Sequence, residues 1–375
     1  VKRIVLTGGG TAGHVTPNIS LLPALRVAGF DIHYIGTASG IEHSLISKEN
    51  VPFHTIVAGK LRRYFDAKNI TDLFHIAGGF IQSLLILLKL RPTIVFSKGG
   101  FVACPVVWSS WLLHIPAVIH ESDITPGLAN RLCLPFAYKI CYSFPETAAH
   151  VKKEKAVYTG LPVRKELLEG TAEKGRALCG FTDNKPVVLV MGGSQGSVLV
   201  NKMVRDALPR LCVGFNVVHI CGKGNKSEEH CRNGYAQFEY VTDELPHLFT
   251  CADIFVGRSG ATTLFELLLL KKPSLLIPLS TGASRGDQIL NAVSFERQGF
   301  CKVLNQNELT VETLVEGIES TYDRRWTIIG NMKKNAVPDG VASVMNVIEK
   351  VLKNTAGYRD EKLPEANRRN RRGWL

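Results

Sequence analysis

The residues best suited to chemistry in this chain sit on glycine-rich turns. Gly8-Gly9-Gly10-Thr11-Ala12-Gly13-His14 follows the apolar run Ile4-Val5-Leu6, and Gly192-Gly193-Ser194-Gln195-Gly196-Ser197 follows Val187-Val188-Leu189-Val190-Met191. Each reads as a buried strand, a tight turn and a helix start. At such a sheet end, free N–H groups and the helix dipole favour an anion, and glycine lets backbone approach it closely. His14 closes the first turn, where a helix N-terminus disfavours imidazolium and leaves a neutral ring able to take a proton. Its competing role is a helix-cap or packing histidine. A third stretch, Arg258 to Glu266, offers donors at Ser259, Gly260 and Thr262 that suit a diphosphate. Glu266 is either a favourable carboxylate in the first turns of a helix or an acceptor for two ribose hydroxyls. Asp287, Gln288 and Asn291 stand at another helix entrance, where neutral amides suit sugar hydroxyls and an acetamido group.

The elements that must position these groups alternate along the chain. Strands are expected at Ile4–Leu6, Ile32–Ile35, Phe53–Val57, Ile94–Phe96, Ala117–His120 and Lys139–Tyr142. A second set is expected at Val187–Met191, Asn216–Ile220, Gln237–Val241, Ile254–Val256, Ser274–Ile277 and Cys301–Leu304. Helical stretches between them predict parallel sheets with right-handed crossovers. Helices are expected at Val311–Tyr322 and Val341–Leu352, and the polar stretch Glu169 to Asn184 reads as an inter-domain link. Two strand–glycine turn–helix units in one chain predict an α/β protein of two similar domains facing across a cleft.

A chain of 375 residues, 45% hydrophobic and 21% charged, is long for one core and ordinary for a globular enzyme. Nine cysteines without a CxxC pair point to reduced thiols rather than a disulfide framework, and no signal peptide is expected ahead of the first strand. The net charge of +12 calls for an anionic partner. No nucleic-acid motif accompanies it, so a membrane surface or phosphates rank above nucleic acid. The polar tail after Lys353, with Arg368, Arg369, Arg371 and Arg372, carries part of the excess and is expected to be disordered. Leu73 to Leu90 is apolar at helical spacing but interrupted by His75, Gly78, Gly79, Gln82, Ser83 and Lys89. It reads as an amphipathic or buried helix, not a span.

Gly8, Gly10 and Gly13 formally satisfy GxGxxG, yet a dinucleotide site needs an acid ending the second strand, which here ends Tyr34-Ile35-Gly36-Thr37. Gly222 to Ser227 lacks the glycine spacing of a phosphate-binding P-loop. What remains is a set of motifs in fixed order: Gly9-Gly10-Thr11-x-Gly13-His14, Leu161-Pro162-Val163-Arg164, Gly193-Ser194-Gln195-Gly196, Arg258-Ser259-Gly260-Ala261 through Glu266, and Asp287-Gln288-x-x-Asn291. Together, over about residues 2 to 353, they resemble the MurG family of GT-B glycosyltransferases. His120-Glu121-Ser122-Asp123-x-x-Pro126-Gly127-Leu128-Ala129-Asn130 and Ser284-Arg285-Gly286-Asp287-Gln288 resemble its Gram-positive branch. Ala12 stands where many members have glycine, and Ser122-Asp123 replaces a Gln-Asn pair.

The resemblance implies two Rossmann-like parallel-sheet domains: an acceptor and membrane-facing domain over 1–162, a donor domain over 163–340, a returning helix over 341–353 and the basic tail over 354–375. It implies inverting transfer of N-acetylglucosamine from UDP-GlcNAc to lipid I. Donor contacts fall on Arg164, Ser194, Gln195, Val241, Ser259, Gly260, Ala261, Thr262, Glu266 and Gln288. The acceptor diphosphate falls near Thr11, Ala12 and Gly13, with Asp123 and Asn130 beside it, and His14 and Glu121 are the catalytic candidates. With no Asp-x-Asp box beside a phosphate loop, helix N-termini and Arg164 are expected to supply positive potential, with no metal and no cofactor. Lys60, Arg62, Arg63, Tyr64 and Phe65, near the 73–90 helix, are expected to face an anionic inner membrane surface, so the protein is expected at the cytoplasmic side of the cell membrane as a peripheral protein. The rival readings are transfer to another lipid such as diacylglycerol, a UDP-GlcNAc epimerase on the same fold, and an inactive sugar-nucleotide binder.

Overall fold

The computed structural model describes residues 2–59, 68–193, 196–230, 232–280, 286–335 and 337–361. The chain divides into two compact units, one formed by Val1–Pro162 with Pro338–Leu375 and the other by Val163–Val337.

In the first unit, β1 (Lys2–Thr7), α1 (Ala12–Val27), β2 (Phe30–Gly36), α2 (Ile41–Ile46), β3 (Phe53–Thr55) and α3 (Lys68–Leu90) come first. They are followed by β4 (Ile94–Ser97), α4 (Ala103–Leu112), β5 (Ala117–Glu121), α5 (Leu128–Cys133), β6 (Lys139–Tyr142) and β7 (Ala156–Tyr158). The strands form one parallel sheet in the order β3-β2-β1-β4-β5-β6-β7. The runs of β4 and β5 in the middle of the sheet are buried on both faces, as a covered parallel sheet requires. Ile4 and Leu6 join Leu21, Leu22 and Leu25 of α1 on one face, while Val5 joins Val106 and Val107 of α4 on the other. That split follows from the two-residue period of a strand.

The second unit contains α6 (Ala172–Cys179), β8 (Val187–Met191), α7 (Val198–Gly214), β9 (Asn216–Ile220), β10 (Tyr235–Phe238), α8 (Leu245–Cys251), β11 (Ile254–Gly257) and α9 (Ala261–Leu269). It continues through β12 (Ser274–Leu276), α10 (Asp287–Arg297), β13 (Lys302–Val303), α11 (Val311–Asp323) and α12 (Arg325–Lys334). Its sheet is again parallel, in the order β10-β9-β8-β11-β12-β13. Finally α13 (Gly340–Glu361) returns to the first unit, where Val344, Ile348 and Val351 enter the cluster of Ile4 and Leu6.

Three expectations need correction. Glu169–Asn184 is no link: it holds α6, which packs on α8, and Gly175 permits the contact because a Cβ there would stand 2.3 Å from the His247 carbonyl oxygen. The strand expected at Gln237–Val241 runs instead over Tyr235–Phe238. Its partner β9 ends at Ile220, opposite Phe238, before Gly222 turns the chain away at φ +92. The final helix does not stop at Lys353 but continues to Glu361. Thr355 is absorbed there by donating its hydroxyl to the carbonyl oxygens of Val351 and Leu352. The rest of the expected tail, 362–375, lies outside the described residues.

A buried histidine makes the second unit sensitive to acid. His219 on β9 is fully buried, with Nε2 3.0 Å from Asn201 Oδ1 and Nδ1 2.9 Å from the Tyr235 hydroxyl. Asn201 gives its own amide to the Cys221 carbonyl, so Oδ1 accepts and the ring is neutral with Nε2 protonated. Burial, helped by the charge of Arg205, pushes the His219 pKa down to about 3. Stability from the neutral ring is therefore complete above the unfolded value of about 6.5 and is lost as pH falls toward 3, by about 1.4 kcal/mol per pH unit. Denaturant titrations from pH 7 to 4 are expected to show this slope, and His219→Gln is expected to flatten it. Equal slopes in the two proteins would remove His219 as its source.

Candidate active site

In an open parallel sheet, ligands bind beyond the carboxyl ends of the strands where strand order reverses. The reversal falls between β1 and β4 in the first unit and between β8 and β11 in the second. The turn at Gly8–Gly13 leaves β1, and Lys98-Gly99-Gly100 leaves β4. Gly192–Ser197 leaves β8, and Arg258-Ser259-Gly260 leaves β11. The glycine motifs and the Arg258-Ser259-Gly260 motif thus lie at the two switch points.

In the first unit the two turns interleave. Gly9 N–H donates to Gly99 O at 3.3 Å, and a Cβ on Gly100 would stand 2.2 Å from Gly9 O. Gly10 has φ +85, and a Cβ there would meet the Phe101 ring at 2.7 Å, so glycine is required on both counts. Below the turn, the Tyr34 hydroxyl donates to Gly8 O at 2.6 Å, and Asn18 Nδ2 donates to Thr7 O and to Tyr34 Oη. Buried Glu42 of α2 closes it from the side. Its Oε2 accepts from Gly10 N–H at 3.1 Å, and its Oε1 accepts from the amide and hydroxyl of Thr37. The sequence reading missed Glu42, and also Ser97-Lys98-Gly99-Gly100. A Gly-Gly pair directly after a buried strand was the signal for the latter.

His14 Nδ1 lies 3.1 Å from Gly9 O and 3.1 Å from Thr11 Oγ1. A carbonyl oxygen only accepts, so Nδ1 carries the proton and the basic lone pair belongs to Nε2. Thr11 is the N-cap of α1, and Ala12 and Gly13 open the helix.

Glu121, read from the sequence as a catalytic candidate, has a different task. It is buried at the end of β5. Its Oε1 accepts from Ser122 N–H at 2.8 Å and Asp123 N–H at 3.0 Å, and its Oε2 from Gly127 N–H at 3.1 Å and Asn130 Nδ2 at 2.8 Å. Burial and the charge of Asp123 raise its pKa, but four N–H donors hold it ionised, because protonation would turn a hydroxyl against one of them. With both oxygens accepting N–H bonds, Glu121 shapes the 122–130 loop. Asn130 gives its amide hydrogens to Glu121 and to His120 O, while its buried Oδ1 has no partner among the described residues. Asp123 lies within the loop, half-buried.

In the second unit, Glu266 of α9 is buried, and its Oε1 accepts from Arg164 Nε at 2.9 Å and Nη2 at 2.8 Å. Burial raises the carboxyl pKa and Arg164 opposes the shift. Arg164 orients Glu266 through Nε and Nη2. Ser259 donates its hydroxyl to Gln288 O at 2.8 Å, and Gln288 Oε1 accepts from Leu279 N–H at 3.2 Å, so the entrances of α9 and α10 are tied together. Gly260 caps α9, Ala261 and Thr262 form its first turn, and Val241 sits in the loop after β10. Arg258 is a structural arginine: Nη1 donates to the carbonyl oxygens of Ile277 and Pro278 and to Gln306 Oε1, and Nη2 to Ser197 Oγ. Ser194, Gln195, Ser284 and Arg285 lie outside the described residues, as do Lys60, Arg62, Arg63, Tyr64 and Phe65.

Two parallel-sheet units, each with a glycine turn at its switch point, have the architecture of the GT-B glycosyltransferases. The comparisons give the same class. The glycosyltransferase family 28 N-terminal domain matches residues 4–142 and the family 28 C-terminal domain residues 187–348. The UDP-N-acetylglucosamine--N-acetylmuramyl-(pentapeptide) pyrophosphoryl-undecaprenol N-acetylglucosamine transferase of Clostridium tetani is 52% identical over 93% of this chain and 98% of its own. The enzyme of the same name from Clostridium kluyveri is 51% identical over 93% and 99%. The crystal structure of Acinetobacter baumannii MurG shares the fold, with a TM-score of 0.74 over 93% of this chain and all of that one, at 23% identity. The chain belongs to glycosyltransferase family 28 and, within it, to the MurG family.

The Glu121 arrangement is open to test. In Glu121→Gln the new NH2 group would face N–H donors, so unfolding free energy is expected to fall by about 1–3 kcal/mol. Chemical denaturation checks this, and an unchanged midpoint would show that the loop does not depend on the carboxylate.

Proposed function

We propose that this protein transfers N-acetylglucosamine from UDP-GlcNAc to lipid I, undecaprenyl-diphosphate-MurNAc-peptide, and so forms lipid II for peptidoglycan synthesis. The observation that carries the reading is identity above one half, over nearly the full length of both chains, to a transferase named for this reaction. That relative is not named for epimerisation or for transfer to diacylglycerol, which sets those readings aside.

In the proposed reaction the muramoyl 4-hydroxyl oxygen attacks C1 of the donor sugar. The bond from C1 to the diphosphate oxygen breaks with inversion, and UDP leaves with the electron pair. The proton goes to His14 Nε2, whose lone pair follows from the Nδ1–H···Gly9 bond. Acceptor diphosphate oxygens are assigned to the N–H groups of Thr11, Ala12 and Gly13. Glu266, held by Arg164, is assigned to the donor ribose, and the α9 start at Gly260 to Thr262 to the donor diphosphate. Ser194, Gln195, Val241, Ser259 and Gln288 are assigned to the donor side, and Asp123 and Asn130 to the acceptor side. These groups need no metal.

Purified protein with labelled UDP-GlcNAc and a lipid I analogue is expected to give lipid II, with or without EDTA. His14→Ala is expected to lower kcat by about a hundred- to ten-thousandfold with UDP affinity unchanged. Near-normal kcat in this variant would overturn the assignment of the base.

For access to a lipid acceptor, we assign the outer face of α3 to the membrane surface. Gly79, Ser83 and Leu87 face inward, while Phe74, Ile81, Leu85 and Leu88 are exposed in one stripe, at 73%, 57%, 60% and 49%. Trp111 and Leu112 of α4, the helix packed on α3, are exposed too. A stripe of this kind suits the headgroup region, and no helix among the described residues is long and apolar enough to cross a membrane. Ile81→Glu with Leu85→Glu is expected to abolish sedimentation with phosphatidylglycerol vesicles while turnover of a short-chain acceptor persists. Undiminished sedimentation would overturn the assignment.

A further inference from the structure

Lys98 has no place in the roles above, yet it is 1% exposed at the end of β4. Lysine ordinarily keeps its ammonium in water, and burying one demands close partners. Its backbone is fixed by N–H donation to Thr7 O at 2.8 Å, and its stem runs under the first glycine turn, where a Cβ on Gly8 would stand 3.0 Å from Lys98 Cβ. The ammonium donates to Ser122 Oγ. The groups facing it are Glu121 and Asp123 from the β5 loop, Cys141 from β6 and the buried ring of His120. Glu121 is already saturated by four N–H donors, so it supplies charge rather than a hydrogen bond. Burial lowers the Lys98 pKa to about 8 while the two carboxylates hold it up, which keeps the ammonium charged at neutral pH.

We propose that Lys98 is a positioning residue of the acceptor side: by holding Ser122 and balancing Glu121 and Asp123, it fixes the 122–130 loop against the glycine turn that carries His14. This inference rests on the transferase reading above. Glu121 fixes the loop internally through its amides, whereas Lys98 fixes it to the neighbouring strand. The Ser122-Asp123 pair supplies a hydroxyl to accept from the ammonium and an anion to balance it.

The test is steady-state kinetics of the full chain, with lipid I analogue and UDP-GlcNAc varied separately. Lys98→Met keeps the length of the stem and removes the charge. It is expected to lower kcat/KM for the acceptor by about a hundredfold, the scale of a small misplacement of reacting groups. KM for UDP-GlcNAc is expected to stay within about twofold, since uniform donor binding is untouched. Ser122→Ala, which removes only the accepting oxygen, is expected to act in the same direction by about tenfold. Wild-type acceptor kinetics in both single variants would overturn the proposal, as would equal losses on the donor and acceptor sides. If Lys98→Met fails to fold, Ser122→Ala alone decides. An inactive wild-type protein would instead remove the transferase reading itself, and this inference with it.

Discussion

Everything in the two sites depends on how the backbone polar groups of the switch-point turns are satisfied once the strands end. A turn that leaves a buried strand carries N–H and C=O groups into the interior without a ladder to join. The first unit solves this with anions. Glu42 accepts from Gly10 and Thr37, and Glu121 accepts from Ser122, Asp123 and Gly127. The second unit has the opposite deficit, carbonyl oxygens beyond β12, and solves it with a cation: Arg258 donates to Ile277 and Pro278 and reaches Ser197 in the β8 turn. Similar topologies thus carry side chains of opposite charge beneath their loops, each matched to the sign of the backbone groups left over.

Such solutions are stable only while the charge stays compensated. Removing one partner of a buried ionic set strands the other in a medium that does not solvate it, a loss of about 3–5 kcal/mol. Glu121 has its four amide donors with Lys98 nearby, and Glu266 has both nitrogens of the Arg164 fork. The carboxylates are therefore part of the scaffold before any ligand arrives. For Glu266 the scaffold and the proposed ribose contact coincide: the guanidinium that holds Oε1 also sets the orientation of the carboxyl plane.

Much of this was legible in the sequence, because buried parallel strands read as unbroken apolar runs. Val187–Met191 and Asn216–Ile220 have the bounds expected, and the turns that follow β1 and β8 stand where glycine marked them. What was not legible depended on pairing. β10 begins and ends where β9 allows, which no local pattern in Tyr235–Val241 reveals. The α6 segment has too few apolar residues to announce a packed helix; it packs through Gly175, an absence of side chain. Lys98 and Glu42 looked like ordinary charged residues, and Arg258 only like the start of a motif, since their roles come from partners brought near by the fold. The four N–H donors of Glu121 were illegible for the same reason.

The first glycine turn shows most directly how one interaction redirects a common fold. Its GxGxxG spacing lacks the strand-end acid that would hold a dinucleotide ribose, and the chain reads Gly36-Thr37 there instead. An acid does approach from α2, but Glu42 is aimed at the amide of Gly10 within the turn. That N–H is occupied, and His14 N–H goes to Thr11 O at 3.1 Å, so the amides assigned to the acceptor anion in the proposed reaction are those of Thr11, Ala12 and Gly13. Those amides open α1, where the helix dipole adds to them. The same turn holds Gly9 O against His14 Nδ1, so the carbonyl that fixes the tautomer belongs to the turn where the proposed reaction places the acceptor anion. A side chain at Gly9, whose Cβ would stand 2.6 Å from the Glu42 carboxyl carbon, would disturb the turn and its contact with His14 together.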